Sequence, residues 1–253
     1  MLDRFRLDGK VALVTGGNRG LGRAIGRALA EAGADVALMA RDEERLRDAA
    51  REVGATGRRV LAIPGDVARR EDAERAVART VEELGGVHIL VNNAGVNIRK
   101  PFLEYRDEEW EQVLAVNLRG VMFMSRACGP HLIRQRWGRI VNIGSTLSVV
   151  GNQERSIYAA TKGAVLQLTR VLALEWAPHN VTVNCVCPGP IATEMTAPVQ
   201  QNPETNKAFM DKTPLRRWGT PEDVAACVLF LSGEASGFVT GTALLVDGGW
   251  TAQ

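Results

Sequence analysis

The sequence predicts one α/β domain in which seven parallel strands form a doubly wound sheet with helices on both faces. Two observations favour this fold class. Seven short apolar runs alternate with longer helical patterns, and the first run leads through a glycine-rich loop straight into a helix. A length of 253 residues suits one such domain, so residues 1–253 are expected to fold together.

The strands are predicted from short runs rich in β-branched and other apolar residues. They are expected at residues 10–15, 35–40, 59–63, 87–91, 139–143, 181–186 and 243–246. Helices are expected at residues 71–84, 107–128, 156–176 and 221–231, besides the helix that follows the glycine loop. Segment 191–218 is rich in Thr, Pro, Asn and Gln, which predicts an irregular lid over the substrate-binding site.

Charge and composition argue against several classes of partner. Lys and Arg total 31 against 29 Asp and Glu, and the basic residues are scattered, so neither a nucleic acid nor an anionic membrane surface is implied. The N-terminus lacks the apolar core of a signal peptide, and a cytoplasmic protein is expected. The Cys185-x-Cys187 pair lies in an apolar run and is interpreted as packing, and no spacing of His or Cys indicates a metal site.

The glycine loop has the sequence T-G-G-N-R-G-L-G at residues 15–22. Glycines there would let the backbone approach a pyrophosphate, which the N-terminus of the next helix would stabilise. The spacing differs from G-x-G-x-x-G, and a structural turn would use glycines equally well. The position of the loop between the first strand and a helix is what favours a dinucleotide site.

The end of the second strand bears on the choice of dinucleotide. An acid at this position would bind ribose hydroxyls, whereas a cation accommodates a 2′-phosphate. The chain has Arg41 here and Arg19 in the glycine loop, which predicts NADP(H), with NAD(H) as the alternative. A surface ion pair of Arg41 with Asp42 or Glu44 is the structural explanation of the same residue.

The segment 142–162 carries the side chains that indicate chemistry. Ser145 ends the fifth strand, and Tyr158 and Lys162 are four residues apart, which places phenol and ammonium on one face of a helix. Asn117 stands in the middle of another predicted helix, where asparagine lowers helix propensity and needs a reason. A proton donor and a hydrogen-bond donor converging on one oxygen suit the reduction of a ketone by hydride.

In this order the motifs resemble the short-chain dehydrogenase/reductase family over essentially the whole chain. The resemblance rests on the glycine loop, Asp66-Val67, N-N-A-G at 92–95, Asn117, Ser145, Y-A-A-T-K at 158–162 and P-G-P-I-A-T at 188–193. It implies a Rossmann fold and a homotetramer. It also implies a catalytic tetrad of Asn117, Ser145, Tyr158 and Lys162. The cofactor contacts that it implies are Gly16, Asn18, Arg19, Gly20, Leu21, Gly22, Arg41, Asp66, Val67, Asn93, Ala94, Gly95, Tyr158, Lys162, Ile191 and Thr193.

The resemblance also assigns roles within the tetrad. Tyr158 would exchange the proton with the substrate oxygen, and Ser145 would orient and polarise the carbonyl group. Lys162 and an oxidised nicotinamide would stabilise the phenolate. Asn117 would hold a water molecule that links Lys162 to solvent.

Within the family, stretches at 99–104, 213–223 and 246–252 resemble the gluconate 5-dehydrogenase group. This similarity predicts a small sugar-acid substrate such as gluconate or 5-ketogluconate. Arg99 would then pair with the substrate carboxylate, and Arg155 is a further candidate at the pocket mouth. A solvated loop cation is the alternative for Arg99. The expected substrate contacts are Arg99, Ser145, Arg155 and Tyr158.

Two other functions remain open. One is a 3-oxoacyl-acyl-carrier-protein reductase, because Arg136 in Q-R-W-G-R matches a carrier-docking arginine of those enzymes. Leu174 stands where their second docking arginine is expected, which weakens this reading. The other is a nucleotide-binding regulator without turnover, against which the intact tetrad argues.

Overall fold

Seven strands form one sheet in the computed structural model of the protein, which describes residues 1–252. They are β1 (Val11–Thr15), β2 (Asp35–Ala40), β3 (Val60–Pro64), β4 (Ile89–Asn92), β5 (Gly138–Ile143), β6 (Val181–Pro188) and β7 (Ala243–Val246). Their order across the sheet is β3-β2-β1-β4-β5-β6-β7, and every pairing is parallel. The predicted fold class is confirmed, and each predicted strand agrees with the observed one within two residues at either end.

Helices cover both faces of the sheet. They are α1 (Gly20–Glu31), α2 (Glu43–Gly54), α3 (Arg70–Leu84), α4 (Asp107–Leu114), α5 (Gly120–Arg134), α6 (Ser156–Trp176), α7 (Ala197–Gln201), α8 (Pro203–Asp211) and α9 (Pro221–Ser232). Ile25 of α1, Val53 of α2 and Val228 of α9 pack on one face, whereas Val77 of α3 and Met124 of α5 pack on the other. The five strands β1, β2, β4, β5 and β6 are buried throughout between the helices, which is why they read as continuous apolar runs.

The predicted helix at 107–128 differs from the observed structure. The chain is helical there, but a π-helical segment, Ala115–Arg119, separates α4 from α5, and α5 continues to Arg134. Asn117 lies in the π-helical segment. π-Helical turns are frequent at functional sites, so the segment agrees with the expectation that Asn117 stands in the helix for a functional reason.

The predicted irregular lid at 191–218 contains two helices, α7 and α8, so the expectation of an irregular segment is wrong in part. The Oδ1 atom of Asn202 accepts hydrogen bonds from the backbone nitrogens of Glu204 and Thr205, and Pro203 occupies the first turn. The Asn and Pro residues that suggested irregular structure are the cap and first turn of a helix.

The strand order locates the cleft for a ligand. Strands β1, β2 and β3 extend to one side of the sheet, whereas β4 to β7 extend to the other. Ligands of such sheets bind outside the carboxyl ends of the strands where the order reverses, which is here between β1 and β4. Within residues 1–252, no helix is long and apolar enough to cross a membrane.

Candidate active site

A cleft of about 900 Å³ lies at the carboxyl ends of the strands, on either side of the β1–β4 junction. Every residue expected to contact the cofactor lines this cleft, from Gly16 in the glycine loop to Thr193 beyond β6. Ser145, Tyr158 and Lys162 line it as well. The tertiary structure thus brings together residues that are up to 177 positions apart, from 16 to 193.

The glycine loop has no room for a larger side chain at Gly16 or Gly22. A Cβ atom built on Gly22 would lie 2.1 Å from the carbonyl oxygen of Gly16, and Gly16 itself has a φ of 64°. Asn93 ties this loop to the end of β4, since its Nδ2 atom donates to the carbonyls of Thr15 and Gly16 at 2.9 and 3.2 Å. The N-N-A-G segment therefore lines the cleft and also stabilises the conformation of the glycine loop.

The cleft fits a nucleotide phosphate at the start of α1. Arg19 is the N-cap residue of this helix, and its side chain makes no capping hydrogen bond. Without a side-chain cap, the first backbone N–H groups and the positive end of the helix dipole face the glycine loop. Backbone N–H groups in this arrangement bind pyrophosphate.

Three arginines line the cleft at the carboxyl end of β2: Arg19, Arg41 and Arg45. Glu194 forms ion pairs with Arg19 at 3.0 Å and with Arg45 at 3.2 Å, which connects the segment beyond β6 to the opposite wall. The partner of Arg41 is Asp66, at 3.8 Å.

Two details of this corner differ from the sequence analysis. Neither Asp42 nor Glu44 pairs with Arg41; Asp42 instead caps α2 by accepting from the backbone nitrogen of Arg45. Arg45 itself was absent from the predicted cofactor contacts. Its position one turn after Arg41, at the start of a helix that follows β2, is the signal that would have identified it.

Tyr158 and Lys162 occupy the first turns of α6, as the four-residue spacing predicted. The ammonium of Lys162 lies 5.6 Å from the centroid of the Tyr158 ring, and it donates a hydrogen bond to the carbonyl of Ile143 at 2.6 Å. That carbonyl belongs to the last residue of β5. The carboxyl end of β5 therefore fixes the Lys162 ammonium near the Tyr158 ring.

Ser145 lies two residues beyond β5 and is 8% exposed. Its Oγ atom accepts a hydrogen bond from the backbone nitrogen of Leu147 at 3.1 Å. This contact uses an oxygen lone pair and leaves the hydroxyl hydrogen for a further acceptor in the cleft. The turn that begins at Ser145 therefore orients the serine hydroxyl group.

Asn117 is fully buried and does not line the cleft. Its Oδ1 atom accepts from the backbone nitrogen of Val96 at 2.8 Å, and its Nδ2 atom donates to the carbonyl of Val96 and to Oγ1 of Thr161. A Cβ atom built on Gly95 would lie 3.5 Å from Asn117 Oδ1 and 3.7 Å from Lys162 Nζ. The amide thus fastens the loop after β4 beside Lys162, and its role toward a water molecule stays a prediction.

The two predicted carboxylate-binding arginines lie outside the lining of the main cleft. Arg99 and Arg155 line a neighbouring pocket of about 100 Å³. The Nε atom of Arg99 is 2.7 Å from a carboxylate oxygen of Glu154, so an internal acid already engages this cation. Burial, and then the charge of Arg99, lower the pKa of the Arg155 guanidinium.

Arg136 lies near the amino end of β5, away from the cleft. It precedes β5, whose carboxyl end borders the cleft, and its guanidinium donates to the carbonyl of Pro178 at 3.0 Å. Leu174 on α6 is 79% exposed. Residues 1–252 contain no group of three or more His, Cys, Asp or Glu side chains arranged to hold a metal ion.

Comparison with known proteins supplies an independent line of information. The family model described as enoyl-(acyl carrier protein) reductase matches residues 16–251. The 2-dehydro-3-deoxy-D-gluconate 5-dehydrogenase of Dickeya dadantii is 39% identical over 100% of both chains. The 3-oxoacyl-acyl-carrier-protein reductase of Aquifex aeolicus is 40% identical over 97% of this chain and 98% of the relative.

A similar crystal structure is that of a gluconate 5-dehydrogenase from Burkholderia cenocepacia in complex with NADP and tartrate. It superposes with a TM-score of 0.96 at 36% identity and covers 100% of this chain and 99% of the other. Relatives of this similarity thus include both an enzyme that acts on a sugar acid and an enzyme that acts on a carrier-bound acyl group.

Proposed function

This chain belongs to the short-chain dehydrogenase/reductase family, and we propose that it is an NADP(H)-dependent oxidoreductase that interconverts a secondary alcohol and a ketone on a sugar acid such as gluconate and 5-ketogluconate. The Dickeya relative and the Burkholderia structure, both named for acidic sugar derivatives, support this substrate class. The observation that carries the reaction type is that Ser145, Tyr158 and Lys162 share one cleft with a phosphate-binding glycine loop.

The side chains of the cleft have different roles in the acid–base chemistry. The Tyr158 phenol exchanges a proton with the substrate oxygen, and the Ser145 hydroxyl donates a hydrogen bond to the same oxygen as negative charge develops there. Lys162, held by the Ile143 carbonyl, places its ammonium 5.6 Å from the centroid of the Tyr158 ring. A bound nicotinamide nucleotide supplies or accepts the hydride.

The preference for NADP(H) rests on the arginines at the end of β2. Three guanidinium groups, those of Arg19, Arg41 and Arg45, face this part of the cleft. A phosphomonoester on the adenosine ribose would gain charge-assisted hydrogen bonds from them. The carboxylates of Asp42, Asp66 and Glu194 line the same corner, so it has no formal excess of positive charge, and the preference depends on the hydrogen bonds that the guanidinium groups would donate to the phosphate.

We also propose that the protein is a homotetramer. Exposed apolar side chains on α5, on α6 and near the edge strand β7 support self-association, because they would be buried between subunits. The side chains concerned are Met122, Val171, Leu174, Phe238 and Leu245. Light scattering coupled to size-exclusion chromatography would measure the mass directly, and a monomeric mass would contradict the proposal.

A 3-oxoacyl-acyl-carrier-protein reductase is the second candidate, since the Aquifex relative has this activity in its name. The position of Arg136 away from the cleft and the exposed Leu174 both argue against carrier docking at the cleft of the same subunit. The sugar-acid function is therefore favoured.

One substrate screen separates the candidates. Purified protein with NADPH or NADH would be tested on 5-ketogluconate and acetoacetyl thioester, and with NADP⁺ or NAD⁺ on gluconate. Absorbance of the nicotinamide would be followed. We expect turnover of 5-ketogluconate with NADPH. Turnover of the thioester alone would favour the carrier reductase, and binding of NADPH without turnover of any ketone would favour a regulator.

A further inference from the structure

A small pocket beside the catalytic residues is assembled from segments that are far apart in the sequence. It combines Arg99 from the loop after β4, residues 152–155 before α6, Phe209 and Lys212 at the end of α8, and Trp250 near the C-terminus. Arg155 is the N-cap residue of α6 and precedes Tyr158 by three residues, which is about one helical turn. The pocket is thus adjacent to the proton donor.

Two arginines line the pocket. The carboxylate of Glu154 engages one of them, Arg99, at 2.7 Å. Arg155 is half-buried next to Arg99, and no acid among residues 1–252 forms an ion pair with it. A partly desolvated guanidinium that forms no ion pair is stabilised by an anionic ligand.

The rest of the lining suits a polyhydroxylated molecule. Asn152 and Gln153 contribute side-chain amides, which both donate and accept hydrogen bonds. The ring of Trp250 contacts Phe209 with centroids 5.3 Å apart, and Phe209 stacks on Trp218 at 5.4 Å. An aromatic wall supported in this way offers a flat apolar surface to the carbon-bound hydrogens of a sugar chain.

We infer that this pocket binds the carboxylate end of the substrate, that Arg155 rather than Arg99 is its primary ligand, and that Phe209 of α8 forms part of the pocket wall. The inference rests on the proposed function and names its substrate class as a polyhydroxylated carboxylic acid. Arg99 is assigned a secondary role because Glu154 already satisfies it. The lid thereby contributes to the recognition of acidic substrates through α8.

The test compares Arg155→Gln with Arg99→Gln, and uses Arg170→Gln as a matched control. Arg170 is an exposed arginine on the same helix, α6, and does not line the pocket. The kinetic substrates are 5-ketogluconate and the neutral 5-ketofructose, each with NADPH. Calorimetric titration of gluconate in the presence of NADPH measures acid binding independently of turnover.

Loss of Arg155 should raise the KM for 5-ketogluconate and the Kd for gluconate about 10-fold or more, because a charge-assisted hydrogen bond is removed. The KM for 5-ketofructose should change less than about 3-fold, and Arg99→Gln should have the smaller effect on the acid. Arg170→Gln should match the wild type. Melting temperatures of all variants would exclude unfolding as the cause.

Several results would overturn the inference. They are equal losses on the acidic and neutral ketones in Arg155→Gln, unchanged gluconate binding in that variant, and a larger loss in Arg99→Gln. Failure of the proposed function looks different: the wild type would reduce neither ketone. In that case the inference stands if Arg155→Gln weakens the binding of gluconate, and falls if the wild type does not bind it.

Discussion

Asn117 hydrogen-bonds through its side-chain amide to both main-chain polar groups of Val96, at 2.8 Å to the nitrogen and 2.9 Å to the carbonyl oxygen. The side-chain amide of Asn117 therefore satisfies the backbone N–H and C=O groups of Val96, as a backbone partner would in a helix or a sheet. Val96 follows Gly95, which lies beside Lys162, so this pair holds the loop next to the Lys162 ammonium.

Replacing Asn117 by Ala should destabilise the protein and lower turnover together. The substitution leaves the backbone N–H and C=O of Val96 without their partner, and each orphaned group costs about 1–3 kcal/mol. We expect the free energy of unfolding to fall by about 2 kcal/mol or more in urea titrations. An unchanged unfolding free energy with lost turnover would instead assign Asn117 a purely catalytic role.

Tyr158→Phe tests the proton donor. General acid–base catalysis is typically worth about 10²–10⁴ in rate, so kcat should fall by at least about 100-fold. The affinity for NADPH, measured by fluorescence titration, should remain near that of the wild type. Tyr105→Phe removes the only other phenol of the chain, which donates to the carbonyl of Ile98, and should retain turnover. Appreciable activity in Tyr158→Phe would remove this residue from the acid role.

Arg41→Ala tests the 2′-phosphate assignment. The KM for NADPH should rise about 10-fold, whereas the KM for NADH should change little, because only NADPH carries the phosphate. Arg47→Ala is the matched control, since Arg47 is exposed on α2 and pairs with Glu43. Equal increases for both cofactors in Arg41→Ala would contradict the assignment.

Glu194→Gln should tighten the binding of NADPH. The Glu194 carboxylate forms ion pairs with Arg19 and Arg45, which are two of the three cations expected to face the phosphate. Exposed ion pairs are worth about 0.2–1 kcal/mol, so the Kd for NADPH should fall by about 2- to 5-fold and that for NADH should change less. Glu204→Gln, an exposed acid at the start of α8, is the control. Weaker binding in Glu194→Gln would mean that the carboxylate contacts the nucleotide favourably.

His88 should make stability depend on pH. Burial, and then the charge of Lys10, lower the pKa of this imidazole from its ordinary value of 6.5, and its Nδ1 atom accepts from the backbone nitrogen of Val11 at 3.0 Å. Above pH 6.5 the ring is neutral in both the folded and the unfolded chain. As the pH falls below 6.5, the unfolded chain binds the proton first, so stability is lost.

His88→Asn retains a hydrogen-bond acceptor but cannot titrate in this range. The fall in melting temperature between pH 7 and pH 5 should therefore be smaller in this variant than in the wild type. Parallel pH profiles for the two proteins would show that other groups, and not His88, cause the loss.

The ion pairing of the two arginines predicted to bind the substrate could not be predicted from the sequence. Arg99 follows the N-N-A-G turn, and its position in the chain favoured it over Arg155 as the carboxylate ligand. The structure distinguishes them, because Glu154 engages Arg99 and leaves Arg155 as the half-buried cation without an ion pair within residues 1–252. Which acidic residue pairs with which basic residue depends on how two loops pack against each other, and this packing cannot be predicted from a local sequence pattern.

The sequence by itself determined the alternation of strands and helices, the glycine loop before α1, and the placement of Tyr158 and Lys162 on one face of α6. These features depend on hydrophobic period, backbone freedom and helical spacing, all of which act over a few residues. Only the tertiary structure decided the hydrogen bonds between Asn117 and Val96, the pairing of Glu194 with Arg19 and Arg45, and the placement of Arg155 in one pocket with Phe209 and Trp250. Those contacts join segments far apart in the chain, and their partners are selected by the packing of the whole sheet and its loops.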